Sequence, residues 1–392
     1  MILKLYDFQL YNFMTLRIGI TCWPSIGGSG IVATELGHEL ARRGHEVHFI
    51  SHGVPFRLDM SMPNIFFHEV SVNTYELFKY PDYTLPLAVK MAAVSRKYQL
   101  DILHVHYAVP HATAAYLAQQ MLERDKKRPK IITTLHGTDT TLIGRDPNYR
   151  PIVRYSIEHS CGVTAVSQSL KEETVSFLKL KKPIEVIYNF MLQRKPTRSR
   201  AVVRRELGIA DDELLMIHIS NLRAVKRIPD LLKIISKLPK DTKAKLIILA
   251  GSSFAPFEDL VQKLKVEDRL IVRENVLDIE NYLVAADAGL YTSDHETFGM
   301  GILESMNFAH PVLATRIGGI PEVIDDGKTG YLHEIGDIES YVKNIVKLAK
   351  DPELAKNMGN EGKKRAKKMF SAEKVVDHYL KFYERIIETD HC

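Results

Sequence analysis

What most limits the fold of this chain is an alternation of short apolar strands, turns and amphipathic helices that runs once, breaks, and runs again. Residues 17–21 are a short apolar strand. Gly27-Gly28-Ser29-Gly30 form a turn, and Ile31, Glu35, Leu36 and Leu40 then recur at helical spacing until Gly44. Further strands are read at 47–51, 102–106, 131–135, 163–166 and 184–188, with helices near 112–124 and from 168. A polar, basic stretch at 193–200 interrupts the pattern and reads as a linker. Strands resume at 214–220, 245–251, 287–291 and 311–314, with helices at 228–238, 257–264, 299–307, 338–350 and 371–388.

Short buried strands alternating with helices dictate parallel sheets covered on both faces. The expected class is therefore α/β, with two Rossmann-like doubly wound domains facing across a cleft. The expected division is an extension at 1–14, a first domain at 15–190, a second at 191–370 and a terminal segment at 371–392. Ligands of such sheets bind beyond the strand C-termini, where the strand order reverses.

Composition narrows the function. A chain of 392 residues, 45% hydrophobic and 26% charged, can bury two cores. A net charge of +5 with no basic stripe interleaved with aromatics argues against a nucleic-acid partner. The run Lys363-Lys364-Arg365-Ala366-Lys367-Lys368 reads as a solvated helix face, the sharper alternative being contact with an anionic membrane surface. Cys22, Cys161 and Cys392 are far apart and odd in number, which speaks against a disulfide framework or a zinc site. Without a membrane-length apolar run or a leader-like start, a cytoplasmic location and no stable membrane insertion are expected.

Four clusters carry chemistry. Asp294–Met306 follows a strand and opens a helix, with Glu296 in the loop and Glu304 two turns into the helix. The amides near Gly299–Gly301 sit where a helix start attracts anions. Carboxylates repel phosphates, so Glu296 and Glu304 should accept hydrogen bonds from hydroxyls, of a transferred sugar and a ribose respectively. Ser220–Arg227 follows the first strand of the second half and offers Arg223 and Lys226 to phosphates. Gly28-x-Gly30-x-x-Ala33 is a loose dinucleotide fingerprint. It lacks the ribose-binding acid expected after the second strand, which weakens a nicotinamide-dependent oxidoreductase. His136-Gly137-Thr138-Asp139 ends a strand of the first half. Metal ligation there is not expected, since His104, His106 and His111 surround another strand end with no His-x-x-x-His or Cys partner.

The segment 294–306 resembles the E-x7-E motif of the family-four retaining glycosyltransferases, with Glu296 and Glu304 as its two acids. The resemblance runs from about Thr15 through nearly the whole chain. It implies the GT-B fold, a nucleotide-sugar donor held by the second domain, and no cofactor or catalytic metal. It also implies that 371–388 crosses back onto the first domain. Carried onto this sequence, it makes Glu296, His136 and Lys226 catalytic. The donor contacts become Gly28, Asn221, Arg223, Lys226, Glu296, Phe298, Gly299, Met300 and Glu304. Asn221 stands where the family has an arginine, and Arg223 is the substitute at hand. Gly318–Glu322 resembles the family's second glycine loop, near the nucleotide.

Within that family, 27–51, 104–112, 134–144 and 220–227 resemble members that supply the first glycoside of bacillithiol biosynthesis. That implies UDP-N-acetylglucosamine as donor, L-malate as acceptor and an α-glycoside product. The expected acceptor contacts are Ser29, Tyr107, Thr138 and Arg154, the last because a guanidinium suits a carboxylate. A homodimer is the assembly this reading allows. The alternatives are a related transferase with another small, lipid or phosphorylated acceptor, and a sugar-nucleotide sensor without turnover.

Overall fold

A computed structural model describes residues 15–24, 27–72, 82–192 and 194–389. The proposed extension at 1–14 and Cys392 lie outside them. The first half forms a seven-stranded sheet from β1 (Arg17–Thr21), β2 (Glu46–Ser51), β3 (Ile65–Glu69), β4 (Ile102–His106), β5 (Lys130–Leu135), β6 (Gly162–Ala165) and β7 (Glu185–Val186). Their order is β3-β2-β1-β4-β5-β6-β7. The second half forms a six-stranded sheet from β8 (Leu214–Ser220), β9 (Ala244–Ala250), β10 (Leu270–Glu274), β11 (Ala288–Tyr291), β12 (Val312–Thr315) and β13 (Gly330–His333). Their order is β10-β9-β8-β11-β12-β13. All pairings between these strands are parallel. Each sheet reverses direction of winding at its first strand, between β1 and β4 and between β8 and β11. This is the expected doubly wound α/β pair, and it puts two crevices where ligands of such sheets bind.

Side chains alternate across each sheet, so each lobe has two cores. Ile18, Ile20, Phe49 and Ile132 fill one face of the first sheet, and Ile50, Leu103, Val105 and Ile131 the other. Leu214, Met216, Leu246 and Ile248 fill one face of the second sheet, and Leu215, Ile217, Ile247 and Leu249 the other. A fifth apolar cluster joins the lobes, packing Leu135, Val163, Ala165 and Leu170 with Phe298, Ile302, Leu303, Ile320 and Phe370.

The helix Ala372–Glu388 buries Val375, Val376, Tyr379, Leu380, Phe382 and Tyr383. These residues pack against β1, β2, β4 and β5 of the first sheet. Tyr383 Oη and His104 Nδ1 are 2.7 Å apart, and Arg43 Nη1 lies 2.5 Å from Asp377 Oδ1.

Some elements depart from the sequence reading. β3 and β10 are half-exposed edge strands whose apolar runs stop after three residues, too short to mark a strand. The strand expected at 184–188 shrinks to Glu185–Val186. The basic run lies on a helix, Pro352–Phe370. Lys363, Lys364, Lys367 and Lys368 there are exposed. Arg365 instead turns inward and donates to the carbonyls of Val323 and Glu322, both at 2.8 Å. Among the described residues no helix is long and apolar enough to cross a membrane.

Candidate active site

In the second lobe the functional side chains leave the ends of β8 and β11. The turn after β8 carries Asn221, Arg223 and Lys226, and the loop after β11 carries Glu296 before the helix Met300–Asn307. The two loops are tied together: Asp294 N donates to Val225 O (2.9 Å) and Thr292 Oγ1 to Lys226 O (3.1 Å). Lys226 Nζ then lies 2.5 Å from Glu296 Oε2, with the side chains only 16% and 18% exposed. Partial desolvation strengthens this pair relative to one in open water.

The Gly318–Glu322 segment, expected near the nucleotide, lies against the Glu296 loop and is not among the cleft-lining residues. Gly319 N donates to Glu296 O at 3.0 Å. A β-carbon on Gly318, which has φ +54°, would stand 2.0 Å from that same oxygen. Its glycines therefore let one loop lie directly under the Glu296 loop and hold it. Glu322 reaches the other lobe, accepting from the amides of Gln168 and Ser169, each at 2.9 Å.

Glu304 lies deeper, 6% exposed, on the helix that follows Glu296. Burial raises its carboxyl to about 7; the positive charge of Arg57 opposes the rise and the negative charge of Glu280 adds to it.

In the first lobe the site is built at the ends of β1, β4 and β5. Ser29 Oγ and Tyr107 Oη share a hydrogen bond of 2.8 Å. Burial raises the Tyr107 hydroxyl, while Ser29, Arg223 and Thr138 act the other way. His136 follows β5, and its Nε2 shares a 2.8 Å hydrogen bond with His106 Nδ1. Burial lowers His136 to about 3, so its imidazole is neutral near neutral pH. Asp139 braces this wall from behind, accepting from the amides of Ala108 (2.8 Å) and Gly137 (3.1 Å). The lobes also meet directly here: Thr297 Oγ1 donates to His136 O (2.9 Å), and Thr141 Oγ1 lies 3.1 Å from His295 Nε2.

Between the walls lies a cleft of about 990 Å³. Gly28, Ser29, Tyr107, His136 and Thr138 line it from the first lobe. Asn221, Arg223, Lys226, Glu296, Gly299, Met300 and Glu304 line it from the second. Gly28 faces Met300 so closely that a β-carbon would stand 3.4 Å from Met300 Cγ. Phe298 borders the cleft, yet it is 1% exposed and its ring packs on Phe370 (centroids 5.4 Å apart) within the interlobe cluster.

Arg154 is the expected residue that the structure leaves out of the cleft. Its helix, Arg150–Glu158, turns Val153, Ser156 and Ile157 inward, and Arg154, off that stripe, is exposed on the outer face. Cleft residues not expected from the sequence include Arg57, in the loop after β2, and Asn275, Val276 and Ile279, after β10. They carry no motif. Only their position after a strand end could have marked them.

The arrangement pairs two cations, Arg223 and Lys226, and carboxylate acceptors on one wall with mainly neutral donors and acceptors on the other. That suits an anionic, hydroxyl-rich ligand bridging the lobes. Comparison with known proteins places the chain in a family. The Glycosyltransferase Family 4 model matches residues 26–191, and the Glycosyl transferases group 1 model matches 199–365. The chain is 46% identical over 379 residues to the N-acetyl-alpha-D-glucosaminyl L-malate synthase of Bacillus anthracis, covering 96% of this chain and 99% of that one. It is 23% identical to a D-inositol 3-phosphate glycosyltransferase of Saccharomonospora viridis, over 91% of this chain and 89% of that one. Among solved structures, a glycosyltransferase from Rickettsia africae superposes with a TM-score of 0.78 at 22% identity, covering 96% and 100% of the two chains. Anabaena HepE in complex with UDP-glucose gives 0.78 at 17% identity, covering 94% and 100%.

Proposed function

From the premise that this chain belongs to the family-four, group 1 glycosyltransferases, we propose that it moves N-acetylglucosamine from UDP-N-acetylglucosamine to L-malate, giving the α-glycoside and UDP. The observation that carries the reading is the Lys226–Glu296 pair, set 2.5 Å apart at the strand ends and facing Ser29, Tyr107 and His136 across one cleft. The 46% identity to the Bacillus anthracis synthase supports this choice of donor and acceptor.

In this reading the Lys226 ammonium meets the donor diphosphate, and Glu296 turns to the hydroxyls of the transferred sugar. A hydrogen bond to a charged group contributes about 1.5–3 kcal/mol net. The diphosphate gains negative charge as the glycosidic bond breaks, so Lys226 stabilises the transition state more than the ground state. Neutral His136 supplies a hydrogen bond to the sugar without opposing that charge. Ser29, Tyr107 and Thr138 hold the malate. Arg223 joins Lys226 at the diphosphate, its planar fork suited to phosphate oxygens. The malate hydroxyl attacks the anomeric carbon from the side the diphosphate leaves, and a departing phosphate oxygen takes its proton. Configuration is retained without an enzyme nucleophile, and the cations of the cleft serve in place of a metal.

Incubation with UDP-N-acetylglucosamine and a set of hydroxy acids tests the proposal. UDP release only with malate, an α-linked product by NMR and undiminished turnover in EDTA are expected. Transfer to other acceptors but not to malate would leave only the glycosyltransferase assignment standing. A trapped glycosyl-enzyme would overturn the front-face route.

A further inference from the structure

One cleft residue belongs by chain to the first lobe and by environment to the second. Arg57 sits in the loop after β2, with its backbone in the left-handed region at φ +68°. Its side chain is only 8% exposed, an unusual state for a surface-loop arginine. It crosses to the opposite lobe, where its Nη2 lies 3.8 Å from Oε1 of Glu280, itself 12% exposed. Its charge also acts on Glu304. Glu280 and Glu304, both largely buried, border one small gap, and Arg57 lines the main cleft together with Glu304.

The other charged or titratable groups here do not do its work. Tyr291, beside Glu304, is held neutral by burial. Arg194, at the far side of a small gap bounded by Glu280 and Glu304, is engaged with Glu35 at 2.9 Å. Lys226 is engaged with Glu296.

We propose that Arg57 is a donor-site positioning residue lent by the acceptor lobe: among the described residues its guanidinium is the positive charge set beside both Glu280 and Glu304, and it favours the ionised Glu304 that accepts from the donor ribose. This rests on the reading of Glu304 as the ribose contact. Without Arg57, the two carboxylates repel each other and Glu304 takes up a proton; a protonated carboxyl loses one of the two acceptors that vicinal hydroxyls require. Donor affinity then depends on closure of the lobes, because the charge arrives only with the first lobe.

Steady-state kinetics with UDP-N-acetylglucosamine between pH 6 and pH 9, with UDP binding by calorimetry, test this for R57A, R57K and E280Q. Each value is read as a ratio to wild type at the same pH, so that titration of the nucleotide cancels. For R57A, the donor KM and the UDP Kd should rise about tenfold near neutral pH, the size of one charge-assisted hydrogen bond. The deficit should shrink by pH 9, where Glu304 ionises unaided. R57K should recover most of the affinity. E280Q removes the like charge and should move the acid limb of kcat/KM the other way, to lower pH. A merely structural role for Arg57 predicts a deficit independent of pH and no opposite shift in E280Q, and either result overturns the proposal. A rise confined to the malate KM overturns it too. E304Q separates the two layers. If E304Q weakens UDP binding and R57A does not, the role of Arg57 falls and the ribose reading stands; if E304Q leaves UDP binding intact, the ribose reading falls first.

Discussion

The two walls of the cleft stand on sheets with the same strand order around their first strands, and they solve the problem of polar groups near an interior in opposite ways. The first-lobe wall is backed by imidazoles: His104, His106 and His111 are fully buried, and burial lowers His104 to about 3 and His111 to about 4. They are neutral and hydrogen-bonded, as in the 2.7 Å contacts of His104 with Tyr383 Oη and Thr134 Oγ1. The facing wall carries the charges: Lys226 pairs with Glu296, Glu280 pairs with Arg57 lent by the first lobe, and Arg223 lines the cleft with them. The difference separates the two tasks. Charge is concentrated where charge develops during the reaction, and the opposite wall supplies mainly shape and hydrogen bonds, with Asp139 behind it and Arg57 lent across the cleft.

If that division holds, the largest effect comes from discharging the second wall. Lys226→Ala should lower kcat by about 10²–10³, the range for removing one electrostatic contact to a developing anion. Its donor KM should change less, since the interaction strengthens in the transition state. UDP release under saturating malate measures both. A mutant that loses KM alone would place Lys226 in ground-state binding and break the contrast.

Acid tests the first wall. A histidine whose folded pKa is depressed contributes stability that is present above its unfolded value of about 6.5 and lost as pH falls toward the folded value. His104 and His111 should each remove about 2 kcal/mol by pH 5. Glu304, raised by burial to about 7, works in the other sense: its contribution is full below the usual carboxylate range and lost as pH rises through 7. His218 and His310 in the second lobe are also depressed, to about 4, so both lobes weaken in acid. The first, with His106 and His136 depressed as well, should weaken more. Hydrogen exchange at pH 5 against pH 7 should show amides of β4 and β5 losing more protection than those of β11 and the helix Met300–Asn307. Equal losses would mean that the histidines do not set the difference.

Much of this contrast is legible in the sequence, for physical reasons. Central parallel strands are buried on both faces and appear as apolar runs, so β1, β4, β5, β8 and β9 can be read directly; the half-exposed β3 and β10 cannot. Glu296, Glu304, Lys226 and His136 are legible because each follows a strand end inside a motif. Arg57 is not, since a single arginine in a loop has no pattern and its partner Glu280 is more than 200 residues away. Phe298 shows that one motif residue can serve two ends: it lines the cleft, and its ring also packs on Phe370 in the joint between the lobes.

A smaller effect should come from Tyr107→Phe, which removes a hydroxyl bonded to Ser29 and facing the acceptor space. About 1 kcal/mol, or roughly fivefold in malate KM, is expected from one neutral hydrogen bond. The donor KM should stay unchanged if the walls divide the substrates as argued; a matching loss in donor KM would blur the division.

The smallest effect should be that of Arg154→Ala. Read from the sequence, this guanidinium is the natural partner for a malate carboxylate, because it lies downstream of His136 in the same lobe. The helix that carries it decides otherwise. Val153 and Ile157, four residues apart, fix the inward stripe and pack into the interlobe cluster, and Arg154 is rotated off it into solvent. Turning it toward the cleft would expose Val153 and Ile157, at about 1.5–3 kcal/mol for each side chain. An exposed charge held to no partner contributes little to stability or binding. Malate KM, kcat and Tm should therefore all stay within about twofold or 0.5 kcal/mol of wild type. A tenfold rise in malate KM for R154A, with donor KM unchanged, would show that the helix rearranges when the acceptor binds, and that the first wall brings a guanidinium to the acceptor.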